Sequence, residues 1–217
     1  MRIFERAFAA GGVPVSFSEG FHPHARMSFG PPLKTGWESV EEYMDVQLDA
    51  AMDDVAAACN AKLPEGIVVK RVVAIDDRAP KLAVDIVAVA LDVALESDDA
   101  IAAGAPPLKN GGAAGADVAA ISSALSNRFL NPPPSAAAGE PRVLDAEVAQ
   151  TEGTIHIRYT STMDNGRIVT PDSLVAAVIG DPASFRMPLK VMRRAQFVVR
   201  NERHVSPIDE GVVHTSS

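Results

Sequence analysis

The apolar residues of this chain change period in a fixed order, and that order occurs twice. Spacings of three and four residues mark a helix face; a spacing of two marks a half-buried strand. Ile3, Phe4, Ala7 and Phe8 form a helical stripe that Gly11-Gly12 stops. Residues 13–17 alternate as a short strand. Residues 42–48 set Met44, Val46 and Leu48 against Tyr43, Asp45 and Gln47. A helix over residues 51–63 carries Met52, Val55, Ala56, Cys59 and Leu63 on one side and ends at Pro64-Glu65-Gly66, and residues 67–74 read as a strand.

The second round begins with the apolar run 84–95, whose approach from Pro80 suits a turn of helix equally well. A helix over 117–129 follows through Val118, Ile121, Leu125 and Phe129. Strands 143–149 and 154–160 flank Glu152-Gly153 as a hairpin. Thr170 caps a helix with Pro171 at its first position, Leu174, Val175, Val178 and Ile179 as its stripe, and Gly180 at its end. The last strand covers 189–199. The order is β-α-β-β-α-β, so the expected fold is α+β, two tandem ferredoxin-like halves. They span residues 1–78 and 79–203, with linkers at 104–116 and 131–141 and a tail from 204 to 217. The first half lacks its opening strand.

At 217 residues and 47% hydrophobic composition the chain can bury a substantial core. A single cysteine, Cys59, excludes an internal disulfide framework and any multi-cysteine metal site. No apolar run is long enough to span a bilayer, since the best candidate, 82–95, is broken by Asp85 and Asp92. No signal-peptide segment opens the chain, so we expect a cytoplasmic protein without a membrane partner. The net charge of −8 is uneven. Residues 41–110 hold 14 acidic against 6 basic groups, whereas 186–203 hold Arg186, Lys190, Arg193, Arg194, Arg200 and Arg203 against Glu202.

Residues 13–39 stand out. A minimal hairpin needs only a few residues here, yet the stretch 18–41 carries two histidines, three aromatics, Arg26, Lys34 and several prolines. Long loops within compact domains are usually functional, and the aromatics Phe21, Phe29 and Trp37 suggest an ordered one.

Along this stretch the sequence resembles a known family. Arg2-x-x-Glu5-Arg6-Ala7, the run from Pro14 through Ser18-Glu19-Gly20-Phe21-His22-Pro23-His24, then Ser28-Phe29-Gly30-Pro31-Pro32-Leu33, Gly36 and Glu42-Tyr43 are similar to the radical-SAM-linked protein family. That is a bacterial domain of unknown function encoded beside, or fused behind, a cobalamin-binding-type radical SAM protein. The resemblance is dense over residues 1–75 and extends through Thr170-Pro171-Asp172-Ser173-Leu174 and Arg193-Arg194 to about residue 200. Family members begin with a strand and a Ser-His-Leu-Asp-like turn that this chain lacks, which suggests a natural start upstream of Met1. Ala25 also stands where a proline is usual. The resemblance implies a radical SAM partner. The chain has no Cys-x3-Cys-x2-Cys motif, so it does not itself supply that enzyme's cluster.

His22 and His24 flank Pro23, but a metal site needs further ligands, and we expect no metal and no cofactor. The same imidazoles are the candidates for a metal-free RNA-processing activity. The bland reading is that they only hydrogen-bond within the loop. On the basic segment, strand spacing places Lys190, Met192, Arg194, Val198 and Arg200 on one face and Val191, Arg193, Ala195, Phe197 and Val199 on the other. It is either a solvated edge or a phosphate track. The expected function is therefore an accessory, non-catalytic substrate-binding module acting with a radical SAM enzyme, with RNA or a ribosome- or tRNA-derived substrate as ligand. Its expected ligand-binding residues are Phe21, His22, His24, Arg26, Phe29, Lys34, Lys190, Arg193 and Arg194. The alternatives are the RNA-processing enzyme and a purely protein–protein adaptor.

Overall fold

Val89, Leu91, Val93 and Leu95 are buried at every second position of one strand, and they set the core of a sheet. The structure is a computed structural model that describes residues 2–76, 78–96, 118–130, 140–151, 154–178 and 189–208. Its elements are α1 (Arg2–Gly11), β1 (Met27–Phe29), β2 (Glu38–Ser39), β3 (Met44–Val46), α2 (Val55–Asn60), α3 (Leu82–Asp85) and β4 (Ala88–Glu96). Then follow α4 (Val118–Leu125), running into a π-helical turn (Ser126–Leu130), β5 (Val143–Thr151), β6 (Thr154–Thr162), α5 (Pro171–Val178), β7 (Lys190–Arg200) and β8 (Arg203–Val205). The protein is mixed α/β, with sheets and few helices. Among the described residues no helix is long and apolar enough to cross a membrane.

The chain divides into two compact units: residues 1–30, 43–85 and 207–217 form the first, and residues 31–42 and 86–206 the second. In the first, β1 pairs antiparallel with β3, with Met27 opposite Val46 and Phe29 opposite Met44. Ala7, Phe8, Val13, Val15, Val55 and Cys59 make its core. The helix expected from residue 51 starts at Val55, because the Asp54 carboxylate accepts from the Ala57 N–H at 2.8 Å and caps it there. The strand expected over 67–74 is absent. Asn60 takes both backbone groups of Val69, donating Nδ2–H to its carbonyl at 2.9 Å and accepting its N–H at 2.7 Å. With those groups occupied and Val68 and Val72 exposed, this segment joins no ladder.

In the second unit the sheet order is β2-β7-β4-β6-β5, with β8 also on β7. All its pairs are antiparallel except β2 with β7. β4, β6 and β5 are in full register across nine-residue strands, with a shift at the start of β5. The inward residues of β4 and β6 pack with Ile121 and Leu125 of α4 and with Leu174 and Val175 of α5. Each such side chain contributes ~1.5–3 kcal/mol on full burial. The sheet continues past residue 203, because Asn201 and Glu202 both take positive φ (49° and 61°) and turn the chain back along β7 as β8. Most of the 104–116 and 131–141 linkers, the Glu152-Gly153 turn, Gly180 and Arg186 lie outside the described residues.

Gly11 is required by a close approach. A Cβ there would lie 2.6 Å from the carbonyl oxygen of Ala58, on the neighbouring helix α2. We predict that Gly11→Ala destabilises the first unit by ~1–3 kcal/mol. Gly11→Val should cost more, and thermal unfolding of both variants checks the order.

Candidate functional site

The long stretch 18–41 is not one structure but two, meeting at Gly30-Pro31. Its first part is a hairpin arm. Phe17 bridges to Ala25, the Arg26 N–H donates to the Ser16 carbonyl at 2.8 Å, and the Ser18 N–H donates to the His24 carbonyl at 2.8 Å. The Ser18 hydroxyl in turn accepts from the His24 N–H at 3.0 Å. At its base the Ser16 N–H donates to Gln47, and Gln47 donates to Arg26 at 2.9 Å, which ties the arm to the segment following β3. The Ser16 hydroxyl also donates to Asp49. Six consecutive residues at the tip, Glu19 to His24, are exposed, and the ring of Phe21 is fully so.

Of the residues expected to bind ligand, Phe21, His22, His24 and Arg26 thus lie together on this arm and its root. Arg26 also donates from its guanidinium to Gln47 Oε1 at 3.3 Å. Phe29 does not join them. It sits in β1 with its ring 6.3 Å from that of Phe4, so it packs the first unit. Beside it the Ser28 hydroxyl donates to Asp45 at 3.2 Å. Burial raises the Asp45 carboxyl above its ordinary 3.8 and Asp85 adds repulsion, while hydrogen bonds from Leu82 and Ser28 act in the other direction. Cys59 is buried and burial pushes its thiol up, so it acts as packing. Among the described residues no three His, Cys, Asp or Glu side chains converge as metal ligands.

The second part, residues 31–42, is built into the second unit by one arginine. Arg193, 3% exposed, donates to the carbonyls of Pro31 at 2.8 Å and Pro32 at 3.0 Å and to both carboxylate oxygens of Glu42 at 3.1 Å. Gln196 follows it, donating to the Glu41 carbonyl at 2.9 Å. Trp37 packs against the core, and Lys34 stands 3.5 Å from Asp172 of α5 and 5.8 Å above the Trp37 ring. The Pro31 and Pro32 carbonyls and Glu42 of the family-like motif are therefore docking chemistry.

Arg193 and Arg194 point to opposite sides as strand neighbours do, and a bulge in β7 changes the alternation after them. Ala195 faces Ala90 while Arg193 faces Leu91, so Arg194 is the extra residue. The inward set is Val191 and Arg193 before the bulge and Gln196 and Val198 after it. This corrects the strict alternation expected from the sequence, which placed Val198 with Arg194 and put Arg193 in line with Ala195, Phe197 and Val199. It also turns Arg193 away from any solvated track. Burial lowers the pKa of its guanidinium and Glu42 opposes that. Lys190 and Arg194 remain exposed on the opposite side of the strand, beside the half-buried Met192. Two partners on that side escaped the sequence reading: Asp92 of β4, visible only as a carboxylate interrupting an apolar run, and Arg158 of β6, which is 3.2 Å from it.

A domain of mixed α/β architecture is thus defined, one whose signature residues divide between an exposed arm and a docked segment. The chain belongs to DUF2344, described as uncharacterized proteins conserved in bacteria, whose family profile matches residues 1–110. No curated protein matches it.

Removing the Arg193 side chain takes the guanidinium from the Pro31 and Pro32 carbonyls and leaves the Glu42 carboxylate with only the Gln196 amide at 3.3 Å among its described side-chain donors. We predict that Arg193→Ala costs the second unit about 3 kcal/mol, against less than ~0.5 kcal/mol for Arg194→Ala, read by denaturant unfolding. A second prediction concerns Asp45, whose raised folded-state pKa means that its contribution is fully favourable below 3.8 and is lost as pH rises through the raised value. Asp45→Asn should therefore lose stability relative to the parent least, or gain it, near pH 7, and compare worst near pH 3 in a Tm series.

Proposed function

We propose that this protein is a cytoplasmic accessory module that binds substrate for a radical SAM enzyme, the substrate being RNA or a ribosome- or tRNA-derived species. The observation that carries the reading is Phe21: a fully exposed aromatic ring at the tip of an arm whose backbone is hydrogen-bonded on both sides. A rigid arm presents the ring without a large ordering cost on contact, and an aromatic face stacks on any base. His22, His24 and Arg26, exposed on the same arm and its root, add further donors. Lys190 and Arg194 on β7 supply backbone contact of the kind that phosphates need.

Two further lines support it. The β4-α4-β5-β6-α5-β7 order with β7-β4-β6-β5 adjacency fits one ferredoxin-like half, a scaffold with helices on one side of its sheet. The first unit, with α1, β1, β3 and α2, is read as the counterpart half. The radical SAM link rests on the motif resemblance within the matched family.

The test is an anisotropy titration of single-stranded RNA at two salt concentrations. Phe21→Ala should weaken binding about tenfold, in the range of one lost stacking contact. Lys190→Ala/Arg194→Ala should flatten the salt dependence by roughly two phosphate contacts. Absence of RNA binding by the parent, with co-purification of a radical SAM protein, would leave an adaptor in place of this reading. Chelator-resistant RNA cleavage lost in His24→Ala would replace it with an enzyme.

A further inference from the structure

We infer that the side of the second unit's sheet turned away from α4 and α5 holds a phosphate-recognition site made by Arg158 and Arg194 around Asp92. This deepens the reading above and rests on it for Arg194 and Lys190; it adds Arg158 and Asp92 and takes a phosphate group whatever carries it.

The site starts from a carboxylate in an unlikely place. Asp92 is the middle residue of the central strand β4, between Leu91 and Val93 of the core, and is only 8% exposed. A buried carboxylate must be compensated. Here three cationic or donor groups from two neighbouring strands converge on it. His156 Nδ1 lies 3.1 Å from Oδ1, Arg158 Nε lies 3.2 Å from Oδ2, and Arg194 Nε lies 4.0 Å from the same oxygen. Register explains the convergence: Asp92 faces Arg158 on β6, and Ala94 faces His156. On β7 Arg194, the unpaired residue of the bulge, lies on this side opposite Arg193.

The manner of compensation is informative. Both arginines turn Nε, the inner nitrogen, toward Asp92, Arg158 at hydrogen-bond distance and Arg194 at 4.0 Å, and no terminal nitrogen of either bonds that carboxylate among the described contacts. Their remaining contacts are weak: Arg158 Nη1 is 4.0 Å from Glu147, itself 70% exposed, and Arg194 Nη1 is 3.3 Å from the Met192 sulfur. Each side chain is about half exposed, at 46%. Asp92 thus holds the Arg158 fork by its inner nitrogen, with the Arg194 fork 4.0 Å away at the edge of ion-pair range. Ala90 and Ala94 flank it on β4 with small side chains, between the rows from β6 and β7. Lys190 stands at one end, opposite Ala94.

The charges decide the ligand class. Arg158, Arg194 and Lys190 are positive, Asp92 and Glu147 negative, and His156 adds a donor edge. The groups reachable by solvent are thus mainly guanidinium forks. Planar forks held at Nε are matched to a tetrahedral oxyanion with several acceptor oxygens, which is a phosphate. A purely structural network would instead have the forks closed on carboxylates.

The experiment titrates isotopically labelled protein with inorganic phosphate at constant ionic strength and follows backbone and arginine Nε–H resonances. Saturable shifts on β4, β6 and β7, weakened about tenfold in Arg158→Ala/Arg194→Ala, are the expected result. Arg194→Lys, an exposed single change that keeps the charge and removes the fork, should lose several-fold. It also serves if the double variant does not fold. No saturable shift, or equal affinity in the Arg194→Lys and parent proteins, overturns the site. Competition then assigns the source. Displacement by RNA, stronger with a 5′-phosphate, makes the phosphate a nucleic-acid one. Phosphate binding that RNA does not compete, unchanged in Phe21→Ala, makes it a small phosphorylated molecule and fails the RNA reading alone.

Discussion

One buried cation organises the second unit. Arg193 lies on the core side of a central strand, where an uncompensated charge costs several kcal/mol. Among the described residues no carboxylate on a strand of its own sheet pairs with it. The carboxylate comes from Glu42 and the remaining acceptors are the carbonyls of Pro31 and Pro32, so residues 31–42 have to return to the sheet for the strand to be tolerated there. β2 pairs with β7 at that place, the Val40 N–H donates to Arg193 itself at 3.1 Å, and Trp37 is drawn against the core. The prolines suit the task. Their carbonyls accept as any residue's do, and lacking an N–H they leave no donor to satisfy in a buried corner.

The two consecutive arginines show how a single inserted residue divides one basic segment into unlike parts. On an ideal strand neighbours always point to opposite sides, so Arg193 and Arg194 would differ in any case. The bulge acts on the rest of β7: it brings Gln196 inward beside Arg193, where it donates to the Glu41 carbonyl, and lets Arg194 lean toward Asp92. One arginine becomes an anchor for the chain's own backbone. The other keeps its fork at the surface. Their identity is the same, and only the ladder distinguishes them.

The strands and helices of the second unit were legible wherever period decided structure. The β5–β6 pair, the Thr170-Pro171 helix start and the helix-to-strand change near residue 85 follow from local spacing, and the structure places them within a few residues of expectation. The absence of the strand expected over 67–74 was not legible, since an Asn60 side chain captures the backbone of Val69 and no periodicity reports that. The bulge was not legible either, because a period of two counts residues and cannot see one left over. For the site, exposure of the arm tip could be read from its polar and stiff composition. That Phe29 packs on Phe4, or that Pro31 and Pro32 serve Arg193, depends on partners elsewhere in the chain and leaves no local trace.

Glu42 and Arg193 are separated by 151 residues. During synthesis the Pro31–Glu42 segment leaves the ribosome long before its partner strand exists, by roughly 10–30 seconds at ordinary elongation rates. For that interval Trp37 and the two prolines have no sheet to dock on, although residues before and after them can already fold around β1 and β3. The nascent chain thus carries an early-made piece reserved for a late-made strand, and the moment at which β7 emerges is the moment at which the second unit can close.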